Sequence, residues 1–522
     1  MKILEILKKV AIEFCTETSL HGVQYIVEPR RALIERCFWR LAIFVAFIAS
    51  MLSFHTIYVN KYSQSQVLTS LVSTSYPIYA LEQPAITICS ADKAFQSSVD
   101  RFFSMMSFND EEEIKLLKQS LPIFLHHAYS GFLKDDTNHI NLLTRWTDYL
   151  EKINWSLIEF LLYISQPCSE MILQCTVGSV NYNCSDIFKL TRTGFGFCCS
   201  FEYIQKKDNF LMQQYPVEPR KYKIKLSKQY GFEDGLAVLL NLSSQGSVYS
   251  AFYKDTASIF IHSSKEFPAD RSIKVYISGG TETFLRFKST GMMGSSGLED
   301  VDPLIRQCYM EDEIKLKYFD HYTLGNCVLE SDMEVFITKC NCLSIQHPNL
   351  GIFEDCSVFH EHCISYQISK LFTDHTKYIT IDGERIPCLE RCTYVRYTPS
   401  VSFGDFDVPE YNSFRLWDEV NVTGLTLVQI FQQSAHARVF KRSVTRHHWE
   451  ILVVVGGLAG VVFGLNLLSI IELIYYFIFR FYFYIKKEIN SLSTNKKSEI
   501  NRNTELKPIT IFVTSHHDDI NK

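Results

Sequence analysis

The 522-residue chain lacks the short signatures of a catalytic centre: it has no Gly-x-Ser-x-Gly elbow, no phosphate-binding loop and no His-Glu-x-x-His. It also lacks a basic surplus. Lys and Arg number 52 against 57 Asp and Glu, giving a net charge of -5 and a pI near 6.4, whereas nucleic-acid binders usually carry clustered positive charge. No nucleic-acid partner is expected. Internal repeats at periods of roughly 20–50 residues are missing, which removes repeat architectures. The pairing of low hydrophobicity with high charge that marks disorder is missing too, at 47% hydrophobic and 21% charged. Cysteine is nearly absent from the chain ends, where only Cys15 and Cys37 of 16 occur. The mean hydropathy of -0.01 conceals two long apolar runs near those ends. A soluble cytosolic enzyme is excluded.

The first run, residues 41–59, holds 19 residues without a charge. As a helix it spans about 28 Å, close to the ~30 Å hydrocarbon core of a bilayer. Arg30, Arg31, Arg36 and Arg40 precede it, so the positive-inside rule places 1–40 in the cytosol. A cleaved signal peptide fits poorly, because the run starts late and is long. The second run, 451–479, has 29 residues interrupted by Asn466, Ser469, Glu472 and small residues. One straight helix of that length reaches about 43 Å, so a strong tilt or a broken helix is expected. Arg480, Lys486 and Lys487 follow, placing 480–522 in the cytosol as well.

Residues 60–450 then form one large outside domain with 14 cysteines, an even number, as an oxidising compartment favours. Sequons at Asn154, Asn183, Asn241 and Asn421 fall inside it and none in the tails. Cys340, Cys342, Cys356 and Cys363 have a spacing that zinc also uses, but structural zinc sites mostly use reduced thiols; disulfides are the better reading. Within the domain, 92–165 reads as helical, with Asn109 as a cap, Pro122 as a stop and an apolar period over 148–164. Strands follow at 248–253, 258–262 and 273–277, a helix at 311–322, and late strands at 394–401 and 425–431. The class is α+β, with helices largely segregated from the sheet. His516-His517-Asp518-Asp519 lies in a polar tail and reads as solvated chain; no metal or cofactor is implied.

Inside the second run, Gly456, Gly460 and Gly464 recur every fourth residue, a spacing that lets helices approach closely. Asn466, Ser469 and Glu472 share one face further along. An ionisable group at that depth is costly unless it faces a bundle interior or water, which points to an ion pathway.

These residues, in this order between two spans, resemble the degenerin/epithelial sodium channel family, most closely its insect pickpocket-type branch. The likeness rests on Leu20-His21-Gly22, Glu35-Arg36 to Trp39, Pro84 to Cys89, Gly196 to Phe201, Arg306 to Cys308, Tyr322, Asn326 to Glu330, Lys339 to Cys342, Pro348, and Gly456-Gly457, Gly464 to Ser469, Glu472 and Tyr475. It implies a trimeric, amiloride-sensitive sodium or cation channel of the plasma membrane, gated by an extracellular stimulus. Each subunit has two transmembrane helices flanking a disulfide-rich palm, finger, thumb, knuckle and β-ball domain. The finger would cover about 92–165, the palm and β-ball about 195–300, and the thumb about 308–392. The partners implied are sodium ions, the lipid bilayer, and copies of the chain or related subunits in a homotrimer or heterotrimer.

By the same resemblance His21-Gly22 is the gating motif, Gly464-Leu465-Asn466 the selectivity constriction, Ser469 and Glu472 pore-lining, and Val453 near the small position used for closure. The implied disulfides are Cys89–Cys198, Cys175–Cys184, Cys308–Cys392, Cys327–Cys388, Cys340–Cys363 and Cys342–Cys356, leaving Cys168 with Cys199. The chain departs from the family where Asn466 replaces a serine and where Ser331 and Ile386 replace one cysteine pair. A valine at 453 is bulkier than the family's residue. An amide is also bulkier than a hydroxyl, which bears on selectivity and on conduction. A non-conducting or modulatory subunit is the alternative. A two-span scavenger or adhesion receptor explains the topology but gives no reason for the polar residues in the second span.

Overall fold

The structure, a computed structural model, describes residues 2–59, 67–105, 111–130, 137–204, 230–242, 247–251, 253–269, 272–349, 351–373, 377–381, 383–406, 422–444 and 448–490. The chain divides into two compact units, Val67–Val444 and the paired ends Met1–Gln66 with Thr445–Lys522.

The larger unit is built on two sheets. Its longest strand, Thr281–Gly294, pairs antiparallel with Tyr394–Asp405 along one edge. Along the other edge it takes Thr426–Gln432 beside its first half and His436–Val444 beside its second, both parallel. Val67–Pro77, Leu236–Leu240, Ile172–Val177 and Val180–Tyr182 complete eight strands. Alternate residues Leu285 and Phe287 point inward, the period-two pattern of a half-buried strand. The second sheet runs Ile273–Ser278, Thr256–Ser263, Pro84–Ser90, Gly196–Phe201, Phe188–Thr193. Ile86, Ile88, Phe201, Ile259 and Ile261 of this sheet share one core with Val238, Leu240, Leu285, Phe287, Val428 and Ile430 of the first.

A helical module packs its own core of Phe102, Phe124, Trp146 and Phe160. Two expectations fail here. Pro122 does not stop a helix but sits inside Glu111–Ser130. Its missing N–H and ring clash cost about 3 kcal/mol, while burying Leu117, Leu121, Phe124 and Leu125 on one stripe returns about 1.5–3 kcal/mol each. The apolar period over 148–164 is two helices, Thr137–Lys152 and Leu157–Ile164. Asn154 takes a left-handed φ of 61°, and Ser156 with Glu159 forms a capping box that starts the second. The expected cap at Asn109 lies outside the described residues.

The stretch 311–322 is turns, not the expected helix. The buried Glu330 carboxylate accepts the main-chain N–H groups of Lys317 and Tyr318, both at 2.9 Å, which fixes an irregular path. The helix begins instead at Leu324, capped by Thr323, and runs to Cys340. The expected strand 248–253 is shorter, Ser247–Ser250.

Seven disulfides hold this unit: Cys89–Cys198, Cys168–Cys199, Cys175–Cys184, Cys308–Cys392, Cys327–Cys388, Cys340–Cys363 and Cys342–Cys356. Strand pairing accounts for the first: Pro84–Ser90 lies beside Gly196–Phe201, with Ile88 opposite Cys199, so Cys89 and Cys198 are adjacent. The thiols of Cys15 and Cys37 are free.

In the smaller unit, two helices among the described residues are long and apolar enough to cross a membrane, Leu33–Tyr58 and Leu467–Asn490, with a shorter apolar helix at Ile451–Phe463. The second apolar run is therefore not one rod. A helix over His448–Phe463 and another from Leu467 are separated by residues 464–466. An N-terminal helix, Lys2–Glu17, precedes the first long helix, with a short one at Val23–Val27 between them.

Candidate pore constriction

A continuous helix would satisfy the Phe463 carbonyl with the N–H of Leu467. The break removes that donor, and the main-chain N–H of His21 replaces it at 2.9 Å. Gly464 holds a φ of 68°, and a Cβ there would lie 2.9 Å from the His21 ring. Both backbone conformation and space therefore require glycine. Gly22 also needs glycine for its backbone, with φ 80°, while a Cβ there would only make close contact with the side chains of Ile43 and Trp39 at 3.3 and 3.4 Å. Gly464 N–H still reaches the Gly460 carbonyl at 2.9 Å, and Leu465 N–H the Ala459 carbonyl at 3.3 Å.

After the break, Asn466 caps the next helix. Its side-chain oxygen accepts the Ser469 N–H at 2.9 Å, while the Ser469 hydroxyl accepts the Asn466 N–H at 3.4 Å. Ser469 is fully buried, and its Oγ is 2.9 Å from the Ser19 hydroxyl. Glu472, one turn on, accepts from Thr18 Oγ1, Ser19 N–H and Ser19 Oγ at 3.2–3.3 Å. Both residues are thus turned onto the N-terminal turn that carries His21.

The N-terminal helix continues this contact along the helix after the break. Val10 and Phe14 bury against Tyr476, with Phe14 edge-on to the Tyr476 ring at 5.7 Å. Glu13 accepts from Arg480 and from Tyr484 at 3.0 Å, and Glu17 accepts from Tyr476. The Arg480 guanidinium beside Glu13 holds its carboxyl below the usual carboxylate range. A π-helical turn over Tyr475–Arg480 shapes this stretch.

The structure thus brings His21, Gly22, Gly464, Leu465, Asn466, Ser469 and Glu472 together. Val453 stands apart, exposed on the helix before the break. Thr18, Ser19, Glu13 and Glu17 were not singled out by sequence, and Arg480 only as a charge flanking the second span. A usable signal was present: Glu13 and Glu17, four apart, face Tyr476 and Arg480, also four apart. Of the sequons, Asn154 lies exposed in its left-handed turn, Asn183 is an exposed cap, Asn241 is half-buried, and Asn421 lies outside the described residues. Among the described residues no cluster of His, Cys, Asp and Glu could hold a metal ion.

The family model for the amiloride-sensitive sodium channel matches residues 14–476. The chain belongs to the amiloride-sensitive sodium channel family. That family consists of ion channels, not enzymes. Its matched span contains both the N-terminal turn and the broken helix described above. The chain is 23% identical to the sodium channel protein Nach of Drosophila melanogaster over 94% of its own length and 91% of the relative's. It is 23% identical to pickpocket protein 28 of the same fly, covering 91% and 79%. To acid-sensing ion channel 2 of Rattus norvegicus it is 21% identical, covering 93% and 88%. The degenerin and pickpocket resemblance and the sodium-channel class are thus established for this chain.

Proposed function

We propose that the chain is a pore-forming subunit of a trimeric, amiloride-sensitive sodium or cation channel of the plasma membrane, opened by an extracellular stimulus. Both ends are cytoplasmic in this reading, 41–59 and 451–479 cross the bilayer, and 60–450 lies outside. The observation that carries it is the interruption at Gly464–Asn466. Irregular backbone at membrane depth is tolerated only where it is buried in protein or lines a water-filled path. No hydrogen bond occupies the carbonyls of Gly464 and Leu465 among the described residues, and such oxygens can replace the hydration shell of a cation. Family members carry sodium, and this chain would do so through that constriction, with His21 seated beneath it. The sequons and the disulfides of the larger unit fit an outside location.

Voltage clamp of cells expressing the chain, with surface labelling as a control, tests the proposal. A sodium-dependent current blocked by amiloride is expected. Surface-labelled protein that passes no current, alone or with related subunits, contradicts it. Asn466 in place of the family's serine favours one second reading, a modulatory subunit that conducts only beside a related partner.

A further inference from the structure

The longest strand of the larger unit, Thr281–Gly294, turns one face to the core and the other to solvent. Cross-strand partners share a face. Thr290 pairs with Arg396 on one side and with Arg438 on the other, so two arginines stand in one row across three strands. With strands about 4.8 Å apart, their Cα atoms are about 10 Å from each other. Lys288 lies two residues along the same face and Arg286 two further, about 7 Å per step. All four cations are exposed. Thr398 and Ser400, opposite Lys288 and Arg286, add exposed hydroxyls to the same face.

None of the four has a hydrogen-bond or ion-pair partner among the described residues. Arg442, further along His436–Val444, is by contrast committed to the carbonyls of Arg306 and Gln307, both at 3.3 Å. The Arg396 guanidinium rests over the Tyr394 ring, 5.7 Å from its centroid. One carboxylate, the half-buried Glu390, feels the Arg396 charge without forming an ion pair. The strand segments 286–290, 396–400 and 436–440 contain no Asp or Glu.

Four cations held together without counter-charges repel one another, a cost that an anionic ligand removes. The chain as a whole carries -5, so this is a local feature. Its shape sets the form of the ligand. A flat sheet face has no walls to bury a small molecule, whereas cations spread over about 14 Å along one strand suit an extended chain of repeated charge. Guanidinium groups present paired N–H donors to oxyanions, and the Thr398 and Ser400 hydroxyls can donate to a further oxygen. Outside a cell, nucleic acid and inner-leaflet phospholipid are out of reach. The extended polyanion that offers such oxyanions there is a sulfated polysaccharide.

We infer that the solvent face of Thr281–Gly294, with Arg286, Lys288, Arg396 and Arg438, binds a sulfated polysaccharide chain. This rests on the outside placement of 60–450 proposed above.

Heparin binding to the detergent-purified full chain, measured by biolayer interferometry over a salt series, tests it. Wild type should bind, with log Kd linear in log salt. Arg396→Gln with Arg438→Gln should weaken binding about ten-fold or more and lower the slope by about two. Arg286→Gln with Lys288→Gln, a separate pair, should do the same. Arg396→Lys with Arg438→Lys keeps the charges and should keep the slope, which a merely structural role for the arginines would not require. Desulfated heparin and poly-glutamate, which carry carboxylates alone, should bind far more weakly. No binding by wild type, or binding that the Gln pairs leave unchanged, overturns the inference. Equal binding to poly-glutamate overturns it in favour of an acidic protein partner. On intact cells, labelling of Lys288→Cys by a membrane-impermeant maleimide keeps the outside placement, so failure to bind heparin then counts against the inference alone. Label that appears only after permeabilisation removes the placement and the inference with it. A site unlabelled even then is covered in the assembled protein, which also overturns the inference.

Discussion

The main-chain N–H of His21 donates to the carbonyl of Phe463 at 2.9 Å, joining residues 442 positions apart at the point where the second apolar helix breaks. The N-terminal turn thereby supplies the hydrogen bond that the broken helix lacks. A buried carbonyl without a partner costs about 1–3 kcal/mol, so the contact favours the broken form of the helix over a docked but continuous one.

Gly464→Ala should disrupt this seat. An alanine at a φ of 68° costs on the order of 1–2 kcal/mol, and its methyl meets the His21 ring. Surface-labelled protein should persist while current falls. Adding His21→Ala should restore part of it by removing the overlap but not the backbone strain. An unchanged current in Gly464→Ala would show that the seat is not used.

Docking of the N-terminal turn depends on Glu472, which accepts from Thr18 and twice from Ser19. Paired cysteines at Ser19 and Ser469, whose hydroxyl oxygens are 2.9 Å apart, should cross-link in full-length protein under mild oxidant in isolated membranes. Glu472→Ala should reduce the yield several-fold, because each hydrogen bond to a charged group is worth about 1.5–3 kcal/mol. Equal cross-linking with and without Glu472 would assign the docking to the aromatic contacts instead.

In the larger unit, burial pushes Glu266 up to about 7, and the nearby carboxylates of Glu390 and Glu82 add to the effect. The folded value lies above the unfolded one of 4.5, so the protonated form favours folding. Its contribution is complete below about pH 4.5 and is lost as pH rises through 7. Glu266→Gln should melt with the wild type at pH 5 and above it at pH 8. His262 acts in the opposite sense. Burial lowers it to about 4, so stability is lost as pH falls from 6.5 through 4. The difference in Tm between Glu266→Gln and wild type, measured on detergent-purified full chain, isolates Glu266. A gap independent of pH would refute the assignment.

Removing Cys168 and Cys199 together, which close a span of 31 residues, should cost about 3.5–4 kcal/mol. Removing Cys175 and Cys184, nine apart, should cost less. Thermal unfolding of the two double variants checks the order; a reversal would mean native-state packing outweighs the chain-entropy effect.

How much of this was legible in the sequence varies with the physics involved. The two apolar runs, the late strands and the excess length of 451–479 follow from periodicity and from helix rise alone. Pro122 misled because its local cost was outweighed by the stripe from Leu117 to Leu125, a sum that no local rule contains. The stretch 311–322 misled because Glu330, in the following helix, captures its N–H groups. Asp148 to Ile164 kept a helical period through a real break, since Asn154 leaves helical geometry without interrupting the apolar spacing. At the constriction, the residues were visible but their partners were not. Nothing in the run 451–479 discloses that Ser469 and Glu472 face Thr18 and Ser19, some 450 positions earlier, or that Asn466 spends its oxygen as a cap. Cysteine spacing alone leaves the connectivity of 14 residues open, and strand register is what sets Cys89 beside Cys198.

The measurement that tests the central claim most directly is thiol accessibility across residues 456–472, Gly464 excepted because a side chain there would itself disturb the seat, one cysteine at a time with current as the readout. Fast, charge-dependent block is expected at 465 and 466, and protection at 469, where Ser469 is buried against Ser19. Block that follows one unbroken helical period from 456 to 472, with 469 as reactive as its neighbours, would contradict a broken helix seated on His21.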